Sequence, residues 1–128
     1  MSERRDPQAV RIDVLVVDDE PDVASSTADI LRSGGLVAAT SATAEEALEV
    51  IAGHEVRCVI LDHQLAGNEE SFLGSGRELP PVIVMSGIGR AAIVRLQATH
   101  PADLFACLAK PVPPLELIEI VKRAIGEL

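Results

Sequence analysis

A buried parallel sheet with helices on both faces is the fold that this chain of 128 residues should adopt. Two observations carry the expectation. Short apolar runs, each broken off by polar residues, occupy Ile12–Val17, Cys58–Leu61, Pro81–Met85 and Leu104–Ala109. Runs of this length and composition read as strands covered on both faces. Segments with helical spacing separate them, and strands that alternate with helices are joined by crossovers and lie parallel.

The elements follow in order. Residues 1–10 begin Met1-Ser2-Glu3-Arg4-Arg5-Asp6-Pro7 and are expected to form a flexible tail ahead of one domain over 11–128. The first strand stops at Asp18-Asp19. Glu20-Pro21-Asp22 opens a helix, since Pro suits the first turn and acids favour the positive end of the helix dipole. Val23, Thr27, Ile30 and Leu31 recur at helical spacing, and Gly34-Gly35 ends the helix. Leu36–Ala39 makes a short second strand. Thr43-Ala44-Glu45-Glu46 has the form of a capping box, with Ala47, Leu48 and Ile51 on the apolar face behind it and Gly53 at the stop. The third strand ends at Asp62.

The stretch from 67 to 80 breaks the rhythm. Gly67, Gly74 and Gly76 each disfavour a helix by up to about 1 kcal/mol relative to Ala, and only Phe72, Leu73 and Leu79 can bury apolar surface. The third helix is therefore expected to be short or irregular, about one turn at most, and the least ordered part of the domain. The fourth strand stops at Ser86-Gly87. Arg90 to Ala98 carries Ile93, Leu96 and Gln97 at helical spacing, and Pro101 precedes the fifth strand, which stops at Lys110-Pro111. Pro113-Pro114 opens the last helix, with Ile118, Val121 and Ile125 on one face.

Composition excludes several function classes. A hydrophobic content of 48% supports a real core, and a net charge of −9 argues against direct nucleic-acid contact, which needs clustered Lys and Arg. Trp and Tyr are absent and the only aromatics are Phe72 and Phe105, so a base-stacking surface is not expected. No apolar run approaches the roughly 20 residues that span a bilayer, and the start lacks the apolar core of a signal peptide. A cytoplasmic location without membrane contact is expected. Cys58 and Cys107 lie inside strands with no second ligand at metal spacing and read as core residues. His54, His63 and His100 read as helix-end or loop residues.

Open parallel sheets build their sites outside the carboxyl ends of the strands. Asp18-Asp19, Asp62, Ser86 and Lys110 all stand at such ends. Three acids, a hydroxyl and an amine would then meet along one edge, a set able to hold a divalent cation and a phosphoryl group.

With these motifs in this order, residues 12 to 127 resemble the receiver domain of two-component response regulators. That family has an acidic pair after strand one, a phosphoacceptor Asp after strand three, Ser or Thr after strand four and Lys-Pro after strand five. The resemblance implies a flavodoxin-like sheet in strand order 2-1-3-4-5. It implies that Asp62 accepts a phosphoryl group from a sensor histidine kinase or phosphotransfer protein, and that Mg²⁺ is held by Asp19, Asp62 and the backbone carbonyl of Gln64, with Asp18 acting mostly through water. Lys110 would pair with Asp62 and then with a phosphoryl oxygen, and the Ser86 hydroxyl would donate to another. Signalling would run through contacts with a downstream protein or output domain. Enzymatic activity would not exceed slow self-phosphorylation from small donors and self-dephosphorylation. The Lys110-Pro111 bond is expected to be cis, as is usual in the family. In that strand order the third and fifth strands are about 9–10 Å apart, too far for a Cys58–Cys107 disulfide.

The chain departs from the family in three places. Cys107 stands where Tyr or Phe usually couples to the residue after strand four; Phe105, two residues earlier, is expected on the same face. Only 23 residues separate Asp62 from Ser86, fewer than usual by roughly one and a half helical turns. Ala66 replaces a common Pro. Two other functions fit parts of the pattern: a receiver fold that is no longer phosphorylated and serves as a protein-binding module, and a haloacid-dehalogenase-type phosphatase. The phosphatase needs Asp-x-Asp after its first strand, whereas the acids here are adjacent.

Overall fold

The structure, a computed structural model, describes residues 11–62, 72–73, 78–87, 98 and 104–127. Expectations for residues 1–10, His63, Gln64, Ala66 and His100 lie outside these residues. So do most of the segment 67–80 and all but Ala98 of the helix expected at 90–98.

In chain order the elements are β1 (Arg11–Ile12), β2 (Val14–Val17), α1 (Pro21–Ser33), β3 (Ala38–Ser41), α2 (Ala44–Gly53), β4 (Glu55–Val56), β5 (Val59–Asp62), β6 (Val82–Ser86), β7 (Leu104–Ala109) and α3 (Pro114–Ala124). The main sheet is parallel, in the order β3-β2-β5-β6-β7, which is the expected 2-1-3-4-5 arrangement of the principal strands. β1 and β4 form a separate parallel pair.

The first apolar run is split at Asp13, whose N–H, together with that of Val14, donates to the Val37 carbonyl at 2.9 and 3.2 Å. The second strand runs two residues later than expected, at Ala38–Ser41, because Val37 is spent on these bonds and on the Asp13 carboxylate. β4 was not expected: Glu55-Val56 is too short to show a period. β7 has the expected bounds, and β6 runs one residue later than expected.

The sheet separates two apolar layers. On one face Leu15, Val17, Val59, Leu61, Val82 and Val84 pack with Ala44 and Ala47 of α2 and with Phe72 and Leu73. On the other, Val14, Val16, Ile60 and Ile83 pack with Ala24, Ala28 and Leu31 of α1 and with Leu117 and Val121 of α3. Each fully buried side chain of this size contributes roughly 1.5–3 kcal/mol. Alternate residues of β2 and β5 thus hold opposite layers, which is why their sequences are apolar throughout. Phe72 and Leu73 are helical and buried, so the apolar pair in the segment 67–80 does reach the core.

α1 presents Ala24, Thr27, Ala28 and Leu31 inward, while Val23 is 37% exposed and Ile30 half-buried. The helix is rotated from the expected face because two alanines let it lie close to the sheet. Gly34 does more than end α1. A Cβ there would lie 2.7 Å from Cγ2 of Ile118, so the close approach of α1 and α3 requires glycine. α2 begins as expected: Thr43 Oγ1 accepts from the Glu46 N–H at 3.1 Å, and the Glu46 carboxylate reaches back to the Ala42 N–H at 3.1 Å.

Candidate functional site

The carboxyl ends of β2, β5, β6 and β7 bring the site together. Asp18 follows β2; its N–H donates to the Ser41 carbonyl at 3.0 Å, which ties the end of β2 to the end of β3. Its side chain is buried and accepts the Glu20 N–H at 2.9 Å. Asp19, one residue on, is exposed. Pro21 starts α1 directly afterwards, so both acids sit in the tight link between strand and helix.

Asp62 is the last residue of β5 and is buried. Ser86 is the last residue of β6 and only 1% exposed. Its carbonyl accepts the Lys110 N–H at 2.8 Å, which joins the ends of β6 and β7. The Lys110-Pro111 bond is cis, as expected. Lys110 Nζ donates to Asp62 Oδ1 at 3.1 Å. One carboxylate oxygen from each of Asp18, Asp19 and Asp62 lies within 4.8 Å of the others. The structure thus brings together the carboxylates of Asp18, Asp19 and Asp62 and the Lys110 amine, with Ser86 at the neighbouring strand end.

The electrostatics follow from this crowding. Burial pushes the Asp18 carboxyl above the usual carboxylate range, and the charge of Asp62 pushes the same way; the Glu20 N–H and Lys110 oppose them. Among the described residues, the Lys110 ammonium meets a cluster of three carboxylates. Several oxygen donors with excess negative charge suit a hard divalent cation such as Mg²⁺.

The two cysteines are free. Cys58 packs with the α1 and α3 layer and Cys107 with the other, so the sheet stands between them. Burial pushes the Cys58 thiol up to about 12 and also raises that of Cys107. Neither is suited to thiolate chemistry. Phe105 lies at a register shift: Leu104 pairs with Val82 but Ala106 with Ile83, which leaves Phe105 as the extra residue, 42% exposed. The alternation expected to place it with Cys107 is interrupted there. His54 caps the end of α2, and a ring nitrogen lies 3.3 Å from the Val50 carbonyl.

One polar cluster was not singled out in the sequence. Asp13 is buried between two apolar neighbours. Its Oδ2 accepts the Val37 N–H at 2.8 Å, and its Oδ1 meets the guanidinium groups of Arg11 at 3.1 Å and Arg57 at 3.4 Å. An acid inside an apolar run was the available signal.

Residues 14–122 match the response regulator receiver domain family. This chain is a response-regulator receiver domain. Taking up a phosphoryl group is the general function of the family, and receiver domains bind Mg²⁺ at an acidic aspartate cluster. The domain is 34% identical over 122 residues to the nitrogen assimilation regulatory protein NtrX of Azorhizobium caulinodans, covering 91% of this chain and 26% of that protein. It spans about a quarter of the length of that relative, and likewise of an NtrX-like protein of Rickettsia bellii. Among solved structures it is similar to the receiver domain of NtrX from Brucella abortus, with a TM-score of 0.75 and 30% identity over 90% of this chain and 99% of that one. A response regulator receiver protein from Burkholderia phymatum gives a TM-score of 0.77 at 26% identity, over 94% and 98% of the two chains. Among the described residues, no helix is long and apolar enough to cross a membrane.

Proposed function

We propose that Asp62 of this receiver domain takes a phosphoryl group from the phosphohistidine of a sensor kinase or phosphotransfer protein. The observation that supports this most is the contact of Lys110 Nζ with Asp62 Oδ1 inside the acidic cluster. An Asp62 carboxylate oxygen attacks phosphorus, the bond from phosphorus to the imidazole nitrogen breaks, and the imidazole keeps the electron pair and takes up a proton. Asp19, Asp62 and the Gln64 backbone carbonyl would hold Mg²⁺ directly, and Asp18, whose carboxylate accepts the Glu20 N–H, would act through water. When bound, the cation offsets the repulsion between the carboxylates and the phosphoryl oxygens. Lys110 moves its contact from Asp62 to a phosphoryl oxygen, and the Ser86 hydroxyl donates to another. Positioning and charge stabilisation supply the chemistry.

The domain then acts in the cytoplasm, through contacts with a downstream protein or an output domain. Its only catalysis is slow self-phosphorylation from small donors and self-dephosphorylation.

Incubation with Mg²⁺ and a small acyl phosphate, read by intact mass, tests the reading. One phosphoryl mass is expected on the wild type, none after chelation and none on Asp62→Asn. A wild type that gains no mass with any donor would leave the protein-binding alternative in its place.

A further inference from the structure

At the amino end of the sheet, Arg57 makes contacts that phosphoryl chemistry does not use. Its N–H donates to the Ile12 carbonyl at 2.9 Å, which fixes its backbone on the β1–β4 pair. One guanidinium nitrogen donates to the Ile125 carbonyl at 2.8 Å. The other lies 3.4 Å from both Asp13 Oδ1 and Glu127 Oε2. One side chain therefore joins the start of β2, the β4–β5 connection and the end of α3.

Among the described residues, the two positions after Ile125 add no apolar contact with the core. The buried face of the helix finishes at Ile125. Beyond it the Gly126 N–H donates to the Arg123 carbonyl at 3.2 Å and the Glu127 N–H to the Lys122 carbonyl at 2.8 Å, with Gly126 at a φ of +83°. These bonds close the helix on itself but do not attach it to the sheet. A cation on the last carbonyls does attach it, at the end where the helix dipole is negative.

We propose that Arg57 is a latch on the C-terminal turn of α3. The buried Ile125 side chain ends the apolar contact, and the guanidinium holds residues 126 and 127 against the amino ends of β2 and β5. β2 and β5 are also the strands that carry Asp18 and Asp62 at their other ends. The latch thus ties this turn to the two acid-bearing strands.

The latch can be removed without leaving a buried charge alone. Asp13 keeps Arg11 and the Val37 N–H as partners when Arg57 is replaced. Arg57→Met preserves the apolar stem and deletes the guanidinium. Amide hydrogen exchange in the otherwise intact chain is the readout. Ile125, Gly126 and Glu127 should exchange roughly tenfold faster or more, the effect of losing one charge-assisted hydrogen bond, while Leu15–Val17 and Ile60–Leu61 keep their protection. Arg57→Lys should also free the turn, because an ammonium cannot fork between the Ile125 carbonyl and Asp13; it serves if the Met variant fails to fold. Glu127→Gln, which leaves the Ile125 bond in place, should change exchange less than about twofold. Unchanged protection at 125–127 in the Arg57 variants overturns the proposal. So does an equal loss in turn and strands, which would make Arg57 a general stabiliser. Phosphoryl uptake at Asp62 should be unaffected, so the outcome is independent of the function proposed above.

Discussion

Asp13 at the amino end of the sheet and Asp18 at its carboxyl end are the same residue type, five positions apart, both buried. Asp13 meets two guanidinium groups and a backbone N–H. Among the described residues, Asp18 meets one backbone N–H and shares its space with Asp19 and with Asp62, which pairs with the Lys110 amine. Burial raises both carboxyls, but at Asp13 the Val37 N–H and the two arginines outweigh it and hold the group below the usual carboxylate range. At Asp18 burial and the charge of Asp62 win. One end satisfies its charge within the fold and contributes stability. The other crowds like charge, which raises the Asp18 carboxyl, costs stability and creates affinity for a cation.

The comparison should show most strongly in the response to Mg²⁺. At a hundredfold excess over its dissociation constant the cation should raise the unfolding free energy by about 2.7 kcal/mol. Asp13→Asn should keep that gain and Asp62→Asn should lose most of it, as urea denaturation with and without Mg²⁺ will show. Equal gains in the two variants would place the cation elsewhere.

Removing an acid without the cation present should act in opposite directions at the two ends. Asp13→Ala leaves the Val37 N–H without its acceptor and should lower stability by about 2 kcal/mol. Asp62→Asn relieves repulsion and should raise the urea midpoint. A fall for both variants would mean that Lys110 already balances the site.

The pH dependence without divalent cation should have two limbs. The folded value of Asp13 lies below its ordinary value of 3.8, so its contribution is complete above that value and is lost as pH falls through the lower folded one. The folded value of Asp18 lies above 3.8, so its ionisation costs stability at neutral pH, and the cost disappears as pH falls through the raised value. On acidification stability should first rise and then fall. Asp18→Asn should remove the rise and Asp13→Asn the fall, in urea midpoints measured across the acid range.

The smallest difference is expected within the acidic pair. Asp19→Ala should weaken Mg²⁺ binding more than Asp18→Ala, since a directly bound carboxylate loses coordination as well as charge. Calorimetric titration of both variants decides it, and equal losses would count against the assigned roles.

The site was more legible than the packing for a physical reason. A parallel strand that ends in a polar residue places that residue at the sheet edge whatever its neighbours do, so the places of Asp62, Ser86 and Lys110 follow from each strand end, while their expected roles rest on the whole set in order. The face of α1 could not be read in this way, because Ala24 and Ala28 carry little weight in a pattern of large apolar residues although both are buried in the core. The break at Asp13 was hidden by the apolar residues around it. The short β4 has no period to read, and the bulge at Phe105 depends on how β7 registers against β6.

Sequence alone determined the number and polarity of the principal strands, the capped start of α2 and the identity of the groups that gather at the carboxyl edge. Each follows from local pattern and chain direction. The Lys110–Asp62 contact across 48 positions was expected from the family resemblance, whereas only the tertiary structure decided that Arg57 meets Asp13 across 44 positions and that Gly34 must make room for Ile118. These are distances between separate elements, set by how two apolar layers pack on one twisted sheet, and no local pattern records them.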